Sequence, residues 1–176
     1  MEEKKTNVWK SALNWGLSIG IILVIYSVIM YFLGLSLEKW VGWVSYLIMI
    51  AGIIYSTINY RDKELGGYIK YGQALGFGTL VILFAGIISS IYTYFQMTFI
   101  DPDMISKILE MTEEQLITQG LPDDQIEMAI EMQKKFMKPG IMVAIAIPSI
   151  AFMGFLFSLI TSIFLKKEPK DASFSE

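Results

Sequence analysis

The sequence predicts an all-α, polytopic membrane protein: a bundle of four transmembrane helices with a short extracytoplasmic helical segment between the third and the fourth. Three observations carry that prediction. Of 176 residues, 54% are hydrophobic and only 18% are charged, too apolar a balance for a soluble domain of this length. Four long runs of the chain contain no charged residue. The one sizeable polar stretch, Thr98 to Lys138, falls between the last two of them.

The first run, Trp15 to Leu35, holds about 21 residues, enough at about 1.5 Å per residue to cross a hydrocarbon core of about 30 Å. Ahead of it, the tail Met1 to Lys10 mixes Glu2 and Glu3 with Lys4, Lys5 and Lys10, and Trp9 and Trp15 mark the aqueous boundary. The run is too long for a signal-peptide core and lacks a small-residue cleavage site, so it reads as an uncleaved signal anchor. Gly34 to Lys39 leaves room only for a tight turn, which makes the second run, about Val41 to Ile58, antiparallel to the first. Trp40 and Trp43 stand where interfacial indoles are expected. Residues 59–73 form a charged, aromatic hinge, and the third run, about Ala74 to Met97, closes with Tyr92, Tyr94 and Phe95. The fourth begins at Gly140 and ends at about Leu165, before a tail over 166–176 that opens with Lys166 and Lys167. Pro148 inside it removes one backbone donor and predicts a kink. The whole chain, 1–176, reads as one membrane domain.

Between the third and fourth runs, residues 98–139 carry helix signals. Asp101 before Pro102 predicts an N-cap followed by proline at the first helical position. Thr112 with Gln115 predicts a capping box, and Gly120 followed by Pro122 a stop and restart. Two or three short amphipathic helices are therefore expected. In the last of them Ile126, Ala129, Ile130 and Met137, with Met128, Met132 and Phe136 alongside, make a broad apolar face that something must cover.

Pairing apolar helices in lipid brings no hydrophobic gain, so association depends on small residues that let backbones approach. Each run has such a stripe: Gly16, Gly20, Ser27 and Gly34 on the first, and Ser45, Gly52, Ser56 and Asn59 on the second. The third has Gly72, Gly76, Thr79, Gly86 and Ser90, and the fourth Ala144, Ala151, Ser158 and Ser162. Gly16, Gly20, Gly72, Gly76 and Gly86 are the predicted helix-packing positions, and on this reading Gly72→Leu lowers the thermal midpoint.

Composition narrows the chemistry. With no Cys and no His, the chain has no thiol nucleophile, no disulfide, no imidazole base and no Cys/His zinc site. None of the four runs holds an ionisable residue, the usual mark of a proton relay or ion path, and Asn14, Asn59, Gln73 and Gln96 fall at run ends, within reach of water. Asp101, Asp103, Glu113, Glu114, Asp123, Asp124 and Glu127 lack the spacing of a calcium loop and read as solvated helical faces. A net charge of -3 leaves no basic field for nucleic acid. The expectation is a non-catalytic protein with no catalytic, metal or cofactor residues, whose partners are the lipid bilayer and a second copy or another membrane protein.

The hinge concentrates what remains. Arg61, Lys63 and Lys70 are its candidate contacts for a partner or an anionic headgroup, set beside Tyr68 and Tyr71 at headgroup depth, with Gly66 and Gly67 permitting the reversal. Lys and Arg near the run ends decide orientation: Lys4, Lys5 and Lys10 outweigh Lys39, and Arg61, Lys63 and Lys70 outweigh what lies opposite. Both termini and the hinge are then cytoplasmic, and 98–139 is outside.

The stretch Tyr60-Arg61-Asp62-Lys63-Glu64-Leu65-Gly66-Gly67-Tyr68-Ile69, followed by Tyr71-Gly72-Gln73-Ala74, resembles the core of a bacterial domain-of-unknown-function family of small four-span membrane proteins, and the resemblance extends to Ile126–Pro139. It implies an inner-membrane location and supplies no ligand, activity or site residue. The functional expectation is a structural or accessory interaction protein. The alternative is a small oligomeric transporter or channel.

Overall fold

The computed structural model describes residues 7–168; Lys4 and Lys5, and the tail from 169 on with Lys170, lie outside the described residues. Among the described residues six α-helices follow one another: α1 Val8–Phe32, α2 Lys39–Glu64, α3 Tyr71–Phe95, α4 Met104–Thr118, α5 Asp123–Phe136 and α6 Pro139–Leu165. A single π turn, Gln96–Ile100, extends α3. Four helices are long and apolar enough to cross a membrane: α1, α2, α3 with its π turn, and α6. The protein is thus an all-α polytopic bundle.

Local chemistry accounts for most boundaries. The Asn7 side chain accepts from Trp9 N–H at 3.1 Å and starts α1 one turn and more before the apolar run. Lys70 N–H donates to the Gln73 side chain at 3.0 Å, the return half of a capping box at the start of α3. Pro139 occupies the first position of α6, where a missing N–H costs nothing, and the helix continues through Pro148.

Two helix signals in the polar stretch misdirect. Asp101 does not cap α4: the helix starts at Met104 and Asp101 instead holds Lys107 Nζ at 2.9 Å. Thr112 does not begin a helix either, because its hydroxyl donates to Ile108 O at 2.8 Å inside an unbroken α4. The stop at Gly120, with φ +76°, and the restart after Pro122 stand where the sequence puts them.

The described residues divide into two compact units, where the sequence reads as one domain. One comprises the chain up to Ser89 together with the chain from Ile147 on, and the other is Ser90–Ala146.

In the first unit α3 is the central post, with Phe77, Val81, Ile82 and Ala85 buried. A Cβ built at Gly16 of α1 would fall 2.5 Å from Phe84 Cβ and 2.8 Å from Val81 O, and one at Gly20 would fall 3.0 Å from Ile88 Cβ. On its other side α3 meets α6: a Cβ at Gly86 would stand 2.6 Å from Ile150, one at Gly78 2.5 Å from Ser158 Oγ, and one at Gly154 2.6 Å from Ile82. Gly72 and Gly76 have no such neighbour within 4 Å. The α3 contact face thus runs through Gly78, Ile82 and Gly86, and the predicted stripe beginning at Gly72 is corrected accordingly.

These distances order the glycines by consequence. At Gly16 the obstruction includes a backbone carbonyl that cannot rotate away, so Gly16→Ala destabilises by about 1–3 kcal/mol and lowers the thermal midpoint in detergent. Gly72→Ala leaves the midpoint unchanged or slightly raised. A midpoint indifferent to Gly16→Ala would remove the close approach from what holds the first unit together.

Candidate functional site

The hinge is a built junction within the first unit. Gly66 and Gly67, at φ +68° and +92°, carry the reversal in the left-handed region where a Cβ would be strained. Ile69 and Lys167 then form an antiparallel bridge, each N–H donating to the other's C=O at 2.9 Å. Other groups close over the same end of α6. Arg61 Nη1 donates to Leu165 O at 3.3 Å and the Tyr71 hydroxyl to Leu159 O at 3.3 Å, satisfying carbonyls near the helix end that lack or share a partner. Lys167 Nζ lies 5.9 Å from the centroid of the Tyr68 ring, within cation–π range. Ser11 of α1 donates to Glu64 Oε2 at 2.5 Å. Beneath the junction Tyr60 and Phe77 stack at 4.1 Å with planes 6° apart, both buried.

The three cations proposed for docking separate here. Arg61 is turned inward, with its side chain 18% exposed and its guanidinium forked onto Asp62 through Nε at 2.7 Å and Nη2 at 3.2 Å. A group already engaged by a carboxylate and a helix-end carbonyl is part of the junction. Lys63 and Lys70 are exposed. Sequence reading found the hinge cations but not the clasp, because a backbone bridge to residue 167 leaves no side-chain pattern.

The second unit carries the polar helices. Gly120 and Pro122 fold α5 back on α4, and Gln133 Nε2 donates to Thr112 Oγ1 at 3.4 Å near the open end of this hairpin. Ile126 and Ile130, 6% and 8% exposed, are buried, so the uncovered apolar face expected there lies elsewhere on α5. Met128, Met132 and Phe136 form it, at 67%, 55% and 56% exposure. Gln96, expected at a wet span end, is buried in the π turn.

The helix-packing positions belong to the first unit, and the distances above bring Gly16, Gly20 and Gly86 against neighbours but not Gly72 and Gly76. Gly78 and Gly154 were missed. Each sits opposite a bulky residue of another helix, Ile53 or Ile82, which no pattern along a single helix announces.

The junction predicts unequal roles for its cations. Arg61→Ala speeds amide exchange at Ile69 and Lys167 by about fivefold to tenfold, the loss of roughly one charged hydrogen bond, whereas Lys63→Ala and Lys70→Ala leave both amides unchanged. Equal exchange in all three variants would take Arg61 out of the junction.

No curated protein and no solved structure matches the chain. A family model does, over residues 14–167, from the first span through the bridge partner of the hinge: "Protein of unknown function (DUF4199)". With that match covering nearly all of the described helices, the chain belongs to the DUF4199 family.

Proposed function

We propose that the protein is a non-catalytic accessory or interaction protein of a bacterial inner membrane, with both termini and the hinge cytoplasmic and α4 and α5 outside. One observation supports the reading most. Met128, Met132 and Phe136, four residues apart along α5, leave an apolar row uncovered on the side of the helix away from buried Ile126 and Ile130. Such a row suits a protein partner, and flexible thioethers let it adapt to the partner's surface. Another membrane protein, or a second copy of the chain, is the occupant this reading requires. The placement of Lys and Arg around the first three spans supports the orientation. On the cytoplasmic side, exposed Lys63 and Lys70 are the contacts for an anionic headgroup or partner, with Arg61 holding the hinge that presents them.

A second reading, a small oligomeric transporter, draws on buried hydroxyls. Ser56 and Thr57 of α2 and Ser158 and Ser162 of α6 are buried. Hydroxyls in membrane helices usually bond back to their own helix, yet those of Thr57 and Ser158 have no hydrogen-bond partner among the described residues. Solute flux in proteoliposomes discriminates this reading from the first.

The absence of Cys makes a single reporter clean. Met132→Cys carrying a photo-crosslinker yields, in native membranes, an adduct heavier than the monomer; twice the monomer mass identifies a second copy. Recovery of monomer alone would end the interaction reading. For orientation, a reporter fused after Gly120 is active only when it requires export, and activity confined to the cytoplasm would invert the topology.

A further inference from the structure

The exposed row Met128, Met132 and Phe136 is flanked by charge of both signs, and the signs are separated along the helix. In α5 the carboxylates Asp123, Asp124, Glu127 and Glu131 come first and the cations Lys134 and Lys135 last. A helix dipole favours acid in the first turn and base in the last, which accounts for Asp123, Asp124 and the two lysines. Glu131 lies in neither turn. At about 100° per residue it stands on the same flank of the row as Lys135, the two at about 100° and 60° from Met132. Both are exposed, and among the described residues neither enters an ion pair.

This distribution selects an occupant. An anionic membrane surface would meet four carboxylates on α5 against two lysines. A second copy laid parallel would set acid on acid and base on base. Laid antiparallel, the helix is its own complement. About a two-fold axis level with Met132, Met128 meets Phe136 of the second copy and Met132 meets Met132. Glu131 then lies beside Lys135 of the second copy, and symmetry repeats that pair.

We propose that the partner of this row is a second copy of the chain, its α5 packed antiparallel about a two-fold axis at Met132. The proposal rests on the reading of the row as a partner surface and names its occupant. Methionine suits a position that meets its own copy, because the unbranched thioether adapts its rotamer to an identical neighbour.

The row is small beside a standard interface of about 800 Å² per partner, so the pairing is tested in native membranes, where both copies share one plane. The full chain has no Cys, which allows disulfides to be placed singly. Met132→Cys gives a disulfide-linked dimer on mild oxidation. Met128→Cys or Phe136→Cys alone gives little, each being about 12 Å along the helix from its copy and out of reach of a disulfide. Coexpressed with different tags, those two chains give the mixed dimer. In the Met132→Cys chain, Glu131→Lys or Lys135→Glu weakens association by about tenfold, since symmetry loses each exposed pair twice. Coexpression of these two chains restores the dimer, which a pair formed within one helix could not do. Far-ultraviolet circular dichroism is unchanged in both; should either fail to fold, the cysteine pattern alone decides. Disulfides in the Met128→Cys and Phe136→Cys chains alone as abundant as in their mixture, or charge variants whose mixture crosslinks no better than either parent, would overturn the antiparallel copy. An adduct with a protein of another mass and none with a second copy would overturn it too and leave the interaction reading standing, whereas monomer alone would end both.

Discussion

The first unit depends on backbone-to-backbone approach between α1 and α3. Lipid chains solvate leucine as well as a neighbouring helix does, so burying apolar side chains supplies little that favours association over separation. Dispersion contact and its geometric fit remain, and both need short distances. Gly16 and Gly20 allow α1 to lie where a side chain would meet Val81 O and Ala85 O. Once α1 is seated, the other face of α3 is set by the same rule in alternation. Ile82 of α3 projects against Gly154 of α6, and Ile150 of α6 projects against Gly86 of α3. Each isoleucine fills the space a glycine leaves, so the helices are registered along their lengths as well as held.

The junction at the hinge follows from a second constraint, the satisfaction of polar backbone. A reversal between two spans and the end of a third all present amides and carbonyls near the edge of an apolar phase, where an unpaired group is expensive. The bridge between Ile69 and Lys167 removes four of those groups at once, and Arg61 takes Leu165 O as well. The bridge also joins positions far apart in sequence, so the two ends of the α3–α6 segment are tied at one point. A junction of this kind explains why charge, rings and glycines crowd together here: each has a mechanical use in closing the turn.

Much of this was legible in the residues, and the rest was not for identifiable reasons. Span lengths, the tight turn before Lys39 and the stop at Gly120 are local properties, carried by runs of apolar residues and by single glycines. Gly16 and Gly20 are also readable as a pair one turn apart. Gly72 and Gly76 have the same spacing and pack against nothing within reach, because spacing gives a face of a helix but not which neighbour that face meets. The partner of Gly78 is Ser158, eighty residues away. Thr112 and Gln115 satisfy the sequence form of a capping box while lying inside α4, since the residues before them continue the helix and leave no free N–H groups for the hydroxyl to cap. Within the hinge the cations were visible as a cluster, but whether a cation faces inward or outward depends on Asp62 and a carbonyl of α6, and only the second is invisible in sequence.

The α5 helix shows why an amphipathic label was too coarse. At about 100° per residue, Ile126 and Ile130 occupy one side, Met128, Met132 and Phe136 roughly the opposite side, and Asp123, Glu127 and Glu131 the arc between. Sequence reading merges the two apolar rows into one broad face because both recur at helical spacing. The hairpin separates them: it buries the isoleucine row and leaves the methionine row uncovered. The packing step that buries Ile126 and Ile130 therefore also fixes which side of α5 is left exposed, the side of Met128, Met132 and Phe136.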